Sequence, residues 1–367
     1  MSLWKSLLAL LPVTLISALF LLRKADATFL GMGYLISFAF VNYLFFMMLR
    51  TGKTWKYRAM MFISTAVLFP IFFIHHNIME RGSMLISPTQ LYECKVPFCH
   101  LVIPVILIPA AVLKEIPFAG LITSVAATLV LLISVMIVLG RGWCSWGCFF
   151  GGWDEGVAQL KKKASFKFIS PRWKLLPYAV FFATALITAY MSSSAYCQWL
   201  CPFKPMTEFR MITTTKELLS TIVSFSMFFL FIVILPFLSK KRAQCSYFCP
   251  LGPTLVALSN RVNIFGVKVD TDKCVNCKKC IAVCELNAID EASLKTGFNT
   301  PECSKCGKCI DVCPKQALSF YVHGTGCTAN PETARLLFLY ASFILMVAVL
   351  GNLFARGAGT ILVLLFA

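Results

Sequence analysis

Residues 274–284, Cys-Val-Asn-Cys-Lys-Lys-Cys-Ile-Ala-Val-Cys, and residues 303–314, Cys-Ser-Lys-Cys-Gly-Lys-Cys-Ile-Asp-Val-Cys-Pro, use one spacing of cysteines twice. Three thiolates two residues apart on a tight loop can reach three irons of a single cubane, and the fourth, three residues further on, reaches the neighbouring one. The spacing therefore predicts two [4Fe–4S] sites that exchange their fourth ligands. Cys274, Cys277, Cys280 and Cys313 would hold one, and Cys303, Cys306, Cys309 and Cys284 the other. The segments that follow also match, Cys284-Glu-Leu-Asn-Ala-Ile against Cys313-Pro-Lys-Gln-Ala-Leu, so the stretch reads as two copies of a loop and short helix. Zinc is the alternative, but it prefers two Cys-x2-Cys knuckles at wider separation.

Eight more cysteines form four pairs, Cys94/Cys99, Cys144/Cys148, Cys197/Cys201 and Cys245/Cys249, which leaves only Cys327 of the seventeen. All four pairs border long apolar segments. At 58% hydrophobic and 14% charged, the chain is not an ordinary soluble domain. Apolar runs without acids, lysines or arginines fall at about 7–22, 28–49, 59–78, 119–139, 175–191, 218–238 and 336–354. Most approach the ~20 residues that cross a ~30 Å hydrocarbon core, so seven crossings are expected. Two stretches, 101–113 and 358–367, are too short to cross; the first, broken by Pro104 and Pro109, suits a re-entrant half-helix resting on protein. The first run ends at Arg23-Lys24 with no small-residue cleavage site and reads as an anchor. The expected fold is an all-α polytopic membrane protein, about seven spans plus two half-helices, with a small α+β two-cluster bacterial ferredoxin domain. Its parts are a transmembrane domain over 1–259, the ferredoxin domain over 260–330 and a C-terminal transmembrane segment over 331–367.

The net charge of +18 does not point to nucleic acid, because its distribution follows the spans. Bases gather in three loops: Arg50, Lys53, Lys56 and Arg58; Arg141, Lys161, Lys162, Lys163, Lys167, Arg172 and Lys174; and Lys240, Lys241 and Arg242. Such clustering marks the cytoplasmic side of a prokaryotic cytoplasmic membrane. The N-terminus is then inside, 140–174 inside, 192–217 outside, 239–335 inside and the C-terminus outside. Stretch 260–322, with nine bases and seven acids, falls in the reducing cytoplasm, where cluster thiolates survive.

Three of the membrane-edge pairs share a Cys-x3-Cys form with aromatic neighbours: Trp143-Cys144-Ser-Trp-Gly-Cys148, Tyr196-Cys197-Gln-Trp-Leu-Cys201-Pro202 and Cys245-Ser-Tyr-Phe-Cys249-Pro250. Thiols four residues apart on a helical turn face the same way. Repeated motifs of this kind beside spans, followed by a two-cluster ferredoxin, resemble the NapH/NosR/CcoG group of membrane polyferredoxins over roughly 140–320. The resemblance implies quinol oxidation, electron supply to extracytoplasmic reductases, or support of metal-centre maturation. Phe149 stands where that group has a proline, Glu285 replaces the proline after Cys284, and no flavin-attachment domain is appended.

Topology sorts the pairs into Cys144/Cys148 with Cys245/Cys249 on the inner face, and Cys94/Cys99 with Cys197/Cys201 on the outer face. Four thiolates per face match one cluster per face, making four [4Fe–4S] clusters in all. Redox-regulatory thiols remain an alternative for the inner set, and two disulfides for the outer set in its oxidising compartment. Cys327, near His323, reads as a spare thiol. His75, His76 and His100 suit interfacial capping better than haem. Trp143, Trp146, Trp153, Tyr196 and Trp199 suit an aromatic belt, though they could also aid electron flow. Asp154 and Glu155 with Lys161–Lys163 look like a solvated inner loop, with a redox docking patch as the alternative. Apart from His75 and His76 the runs hold no ionisable residue, and no nucleotide-binding or nucleophile–base motif occurs.

The function expected is electron transfer between a cytoplasmic donor and an acceptor at the outer face, as the electron-transfer component of an oxidoreductase complex. A quinol dehydrogenase subunit and a maturation factor are the alternatives. Partners would be the donor, an extracytoplasmic or membrane redox protein, membrane lipid and, in the alternative, a quinone.

Overall fold

The computed structural model describes the chain except residues 1, 82–84, 87–124, 166–172, 174, 192–194, 208, 260–263, 298–300, 325–329 and 367. Cys94, Cys99, His100, Cys327 and the expected half-helix 101–113 lie outside the described residues. The chain divides into two compact units. The first joins Met1–His75, Met136–Glu155 and Ser259–Ala367; the second joins His76–Val135 and Gly156–Leu258. The ferredoxin stretch and the last helix thus share a unit with the first three helices.

In the first unit, α1 (Leu3–Leu21), α2 (Phe29–Thr51) and α3 (Thr54–Arg81) are long apolar helices. Their chemistry is inverted relative to a water-soluble bundle. Ser6, Ser17, Ser37 and Thr65 are buried, whereas Leu15 and Leu19 of α1 are exposed. Asn42 donates to Ser17 Oγ at 2.9 Å, and Thr14 donates to Asn42 Oδ1 at 2.8 Å. Small and hydroxylated side chains inside, with large apolar ones outside, are how helices associate where the solvent is hydrocarbon. Five helices of the described residues are long and apolar enough to span a membrane: Leu3–Lys24, Phe29–Thr51, Thr54–Met79, Thr215–Ser239 and Pro331–Phe366. Two further expected crossings appear as α4 (Val125–Val138), after undescribed residues, and a 16-residue helix, Leu176–Met191.

One expectation is corrected here. Stretch 358–367 is not a separate half-helix, because Pro331–Phe366 runs as one helical segment of 36 residues antiparallel to α2. Arg335 donates to Met48 O, Phe45 packs edge-on to Phe343, and Phe40 stacks on Phe354. Ser37 donates to Gly351 O at 2.8 Å within a π-type turn, Val347–Gly351. Arg356, Gly357 and Gly359 lower the apolar score of this stretch but serve its packing. A Cβ on Gly33 would fall 2.2 Å from Ala355 O, and one on Gly359 2.8 Å from Leu30 Cα. Only glycines let the two backbones approach this closely.

The ferredoxin stretch contributes β1 (Phe265–Val269), paired antiparallel with β2 (Leu318–Val322), with Val267 opposite Phe320. Phe320 stacks on Phe338 of the last helix at 4.3 Å, and Phe265 meets the same ring edge-on. Fully buried Phe338 thereby fixes the sheet to a helix.

In the second unit, α5 (Leu176–Met191) leads to the Tyr196–Cys201 motif and α6 (Thr215–Ser239) to the Gln244–Cys249 motif. A capping box starts α6: Thr214 Oγ accepts the Glu217 N–H, and Glu217 returns to Thr213 and Thr214. Two-residue strands Leu85–Ile86 and Phe209–Arg210 pair in parallel in this unit.

Candidate metal centres

The two cysteine loops are built on the same backbone. Left-handed residues recur at matching positions, Asn276 with Lys305, Lys278 with Gly307 and Asn287 with Gln316. They fold each Cys-x2-Cys-x2-Cys run around its own centre. Short helices Lys279–Val283 and Lys308–Val312 follow, and each ends in an extended cysteine, Cys284 or Cys313. Both terminal thiols accept a backbone N–H, Cys284 from Ala288 at 3.2 Å and Cys313 from Ala317 at 3.3 Å. Such bonds favour the thiolate that iron requires.

The structure arranges these eight thiols in two sets. Cys274, Cys277, Cys280 and Cys313 line one cavity, so the last cysteine of the second run joins the first loop. Cys303, Cys306 and Cys284 lie around the Cys309 thiol, with Cys280 of the first set also near it. Four cysteines line the cavity of the first set with no carboxylate or imidazole among its residues, and this all-thiol donor set fits a [4Fe–4S] cluster. Burial pushes the Cys306 thiol up to about 12 and Cys309 well above its ordinary value. A bound iron cluster would offset that cost, because these cysteines would hold it as thiolates.

The first membrane-edge motif lies directly on the second of these loops. Ser145 Oγ donates to Ser304 Oγ at 2.8 Å, and Trp146 Nε1 donates to Lys305 O at 3.1 Å. Lys305 Nζ returns to Leu139 O at 2.6 Å, and Arg141 donates to Glu302 O at 3.3 Å. Burial lowers the Lys305 ammonium to about 8. Trp146 is fully buried and edge-on to Phe338. Cys144 and Cys148, both buried, flank this contact. The turn is widened, because Cys148 N–H bonds Trp143 O five residues back. Phe149, in the place of a proline, packs against Phe69 at 4.3 Å.

Below the motif, Arg58 donates to Ser145 O at 2.8 Å and forms an ion pair with Glu155. Arg58, Asp154 and Glu155 are all fully buried. The expected solvated loop at Asp154 and Glu155 is therefore corrected: helix Phe150–Leu160 turns these carboxylates inward. Three bases counted as loop charges, Arg58, Arg141 and Arg242, are likewise buried beside cysteine motifs. Sequence reasoning missed this role, although an arginine three residues before Cys144 and before Cys245 was the available signal.

In the second unit the other two motifs have the same shape. Cys249 N–H bonds Gln244 O at 2.9 Å, and Cys201 and Cys249 leave the turn in extended conformations, as a following proline requires. Arg242 donates to Cys245 Sγ at 3.2 Å. Gln244 Nε2 donates to Tyr196 OH at 3.1 Å, and the Tyr196 and Phe248 rings lie 6.1 Å apart. Ser220 of α6 donates to Gln198 O of one motif, and Phe231 of α6 stacks on Phe248 of the other at 4.5 Å. Those α6 positions are about 16 Å apart at ~1.5 Å per residue. Tyr196 and Gln244, from pairs expected at opposite membrane faces, thus meet directly, and both motifs pack along α6. Their order along α6 is kept. The expected inner quartet draws Cys144 and Cys148 from the first unit and Cys245 and Cys249 from the second. His75 and His76 are half-buried near the end of α3.

This geometry defines a helical protein of membrane-spanning type with duplicated cysteine loops. The chain matches the 4Fe-4S dicluster domain family over 266–314, and the 4Fe-4S binding domain family three times, over 121–167, 175–211 and 221–268. These matches support [4Fe–4S] clusters, and each of the three repeats encloses one Cys-x3-Cys motif. Among curated proteins, MJ0750 of Methanocaldococcus jannaschii, itself uncharacterized, is 28% identical over 183 residues, 48% of this chain and 71% of that protein. YccM of Escherichia coli, whose name assigns it provisionally to electron transport, is 24% identical over 192 residues, 48% of this chain. MJ0749 of M. jannaschii is 25% identical over 137 residues. The chain spans about half the length of the last two, 52% and 55%. No solved structure matches it.

Proposed function

We propose that this chain is a membrane iron–sulfur electron-transfer protein of the NapH/NosR/CcoG type. It would carry electrons between a cytoplasmic donor and an acceptor at the outer face. The observation that supports this most directly is the contact of the Cys144–Cys148 turn with the Cys303–Cys306 loop through Ser145–Ser304 and Trp146–Lys305. A ferredoxin segment that only stored electrons would need no membrane-edge thiols against its second loop. Bound [4Fe–4S] clusters would supply one-electron exchange with little change in geometry.

The chain's own residues do the rest. Trp146 and Phe338 exclude water between sheet and motif, Lys305 ties the cysteine loop to Leu139 O, and Arg58 holds the motif through Ser145 O. In the second unit Gln244 and Tyr196 hold the remaining two motifs side by side. That arrangement shortens the gap an electron must cross. YccM's name is consistent with this reading.

Iron and sulfide analysis of anaerobically purified protein tests it. Four cubanes give about sixteen irons per chain, and Cys144→Ser should lower that number while leaving the ferredoxin EPR signals in place. A value near eight in a stable, reconstituted protein would limit iron to the ferredoxin loops and overturn the relay.

A further inference from the structure

The first cysteine loop presents an open edge. Lys273, Val275, Asn276, Cys277, Lys278 and Lys279 are all exposed, as are Pro314 and Lys315 from the second run. Lys273, Lys278, Lys279 and Lys315 rim the cavity lined by Cys274, Cys277, Cys280 and Cys313. Lys273 pairs with Asp270 at 2.7 Å and Lys278 with Glu291, but among the described residues Lys279 and Lys315 have no acidic partner. Val275, at 58% exposure, adds an apolar contact point beside the exposed ligand Cys277.

We propose that this rim is the docking surface for a small, acidic, one-electron carrier protein. The inference rests on the reading that the four cysteines hold a cluster, and it names the class of partner that meets it. Three features select that partner. Cys277 on this rim is the one exposed cysteine among the described residues, so a carrier seated here meets a ligand thiol directly. The uncompensated charges are positive, so the complementary face is acidic, and such complementarity sets encounter rate and orientation. The apolar area is small, as suits a transient redox encounter burying less than about 1,200 Å². In the exchange one electron leaves the reduced carrier and enters the centre, and no bond or proton moves.

The test uses the full-length holoprotein in nanodiscs of zwitterionic lipid, with a small acidic [2Fe–2S] ferredoxin as probe. The Kd of the oxidised probe should rise at least ~10-fold in the double variant Lys279→Glu/Lys315→Glu, and by less in Lys279→Gln/Lys315→Gln. Binding to the parent should also weaken towards ~0.5 M salt, where screening is nearly complete beyond a few Å. Methyl viologen radical, which needs no acidic face, should bleach parent and variants alike. An unchanged Kd in the Glu variant overturns the docking surface. So does a loss of affinity for anionic vesicles without loss for the probe, because the patch would then serve lipid. Failure of methyl viologen to bleach any of the proteins sinks the cluster reading instead, and the Kd series still decides the docking.

Discussion

In the first cysteine loop Val275, Asn276 and Lys278 all face solvent; in the second their counterparts Ser304, Lys305 and Gly307 are all buried. The backbone is the same in both, down to the left-handed residues and the N–H···S bonds of the fourth cysteines. The environment separates them. A duplicated ligand frame has been given one loop that faces water and one fixed to membrane-type helices. Only small changes were needed, a lysine becoming glycine at 307 and a serine at 304 where the first loop has valine.

The largest test of this contrast is Trp146→Ala. It removes a fully buried indole that packs on Phe338 and donates to Lys305 O. A loss of about 3–5 kcal/mol is expected, seen as a lower melting temperature with earlier release of iron from the second loop. Among the described residues the first loop has no equivalent anchor, so its signals should outlast those of the second.

Next come the ion pairs. Lys308 meets Glu285, whose side chain is only 3% exposed, and the same ammonium lies 4.4 Å from the Trp55 ring. Lys308→Met removes the ammonium from a buried carboxylate and should cost about 3 kcal/mol by thermal unfolding. The proline expected after Cys284 is thus replaced by an acid with a definite partner across the duplicated loops.

Gly307→Ala is a smaller perturbation. At φ +84° with Thr54 Cβ 3.1 Å from any added methyl, it should destabilise by about 2 kcal/mol. Its counterpart Lys278→Gly, at φ 55° and exposed, should leave the melting temperature unchanged or raise it. Equal losses at both positions would mean that the loops are not differently constrained.

The smallest effect is expected at Glu291. Its hydrogen bond to Lys278 holds the carboxyl below its ordinary value. A folded-state value below the unfolded one gives stability that is present above the ordinary carboxylate range and lost as pH falls through it. Glu291→Gln should therefore flatten the acid limb of a pH–stability profile slightly and leave the melting temperature at pH 7 within scatter, as an exposed pair predicts.

The cysteine arithmetic and the apolar runs were legible because both are local. Spacing specifies which thiols share a loop, and a run of twenty apolar residues needs no partner to be recognised. What was not legible depended on contacts between distant segments. Asp154 and Glu155 look solvated beside Lys161–Lys163, and only the fold reveals Arg58 waiting beneath them. Arg356 and the neighbouring glycines disguised the end of a 36-residue helix, because their value lies in what α2 and α3 bring against them. The Gln244–Tyr196 bond joins residues that hydropathy had placed at opposite faces.

The start of α3 has a history as well as a geometry. Its first amides, Thr54 and Trp55, donate to Asp311 at 2.9 and 2.8 Å, a carboxylate made 257 residues later in the chain. While the ribosome is still working, that helix end has no cap from this aspartate, and it closes only when the second cysteine loop has been synthesised and has folded. Capping of α3 therefore depends on the folding of the second cysteine loop. A nascent chain arrested before residue 311 should show α3's first turn as a protease-sensitive site, and one that starves for iron should show the same mark.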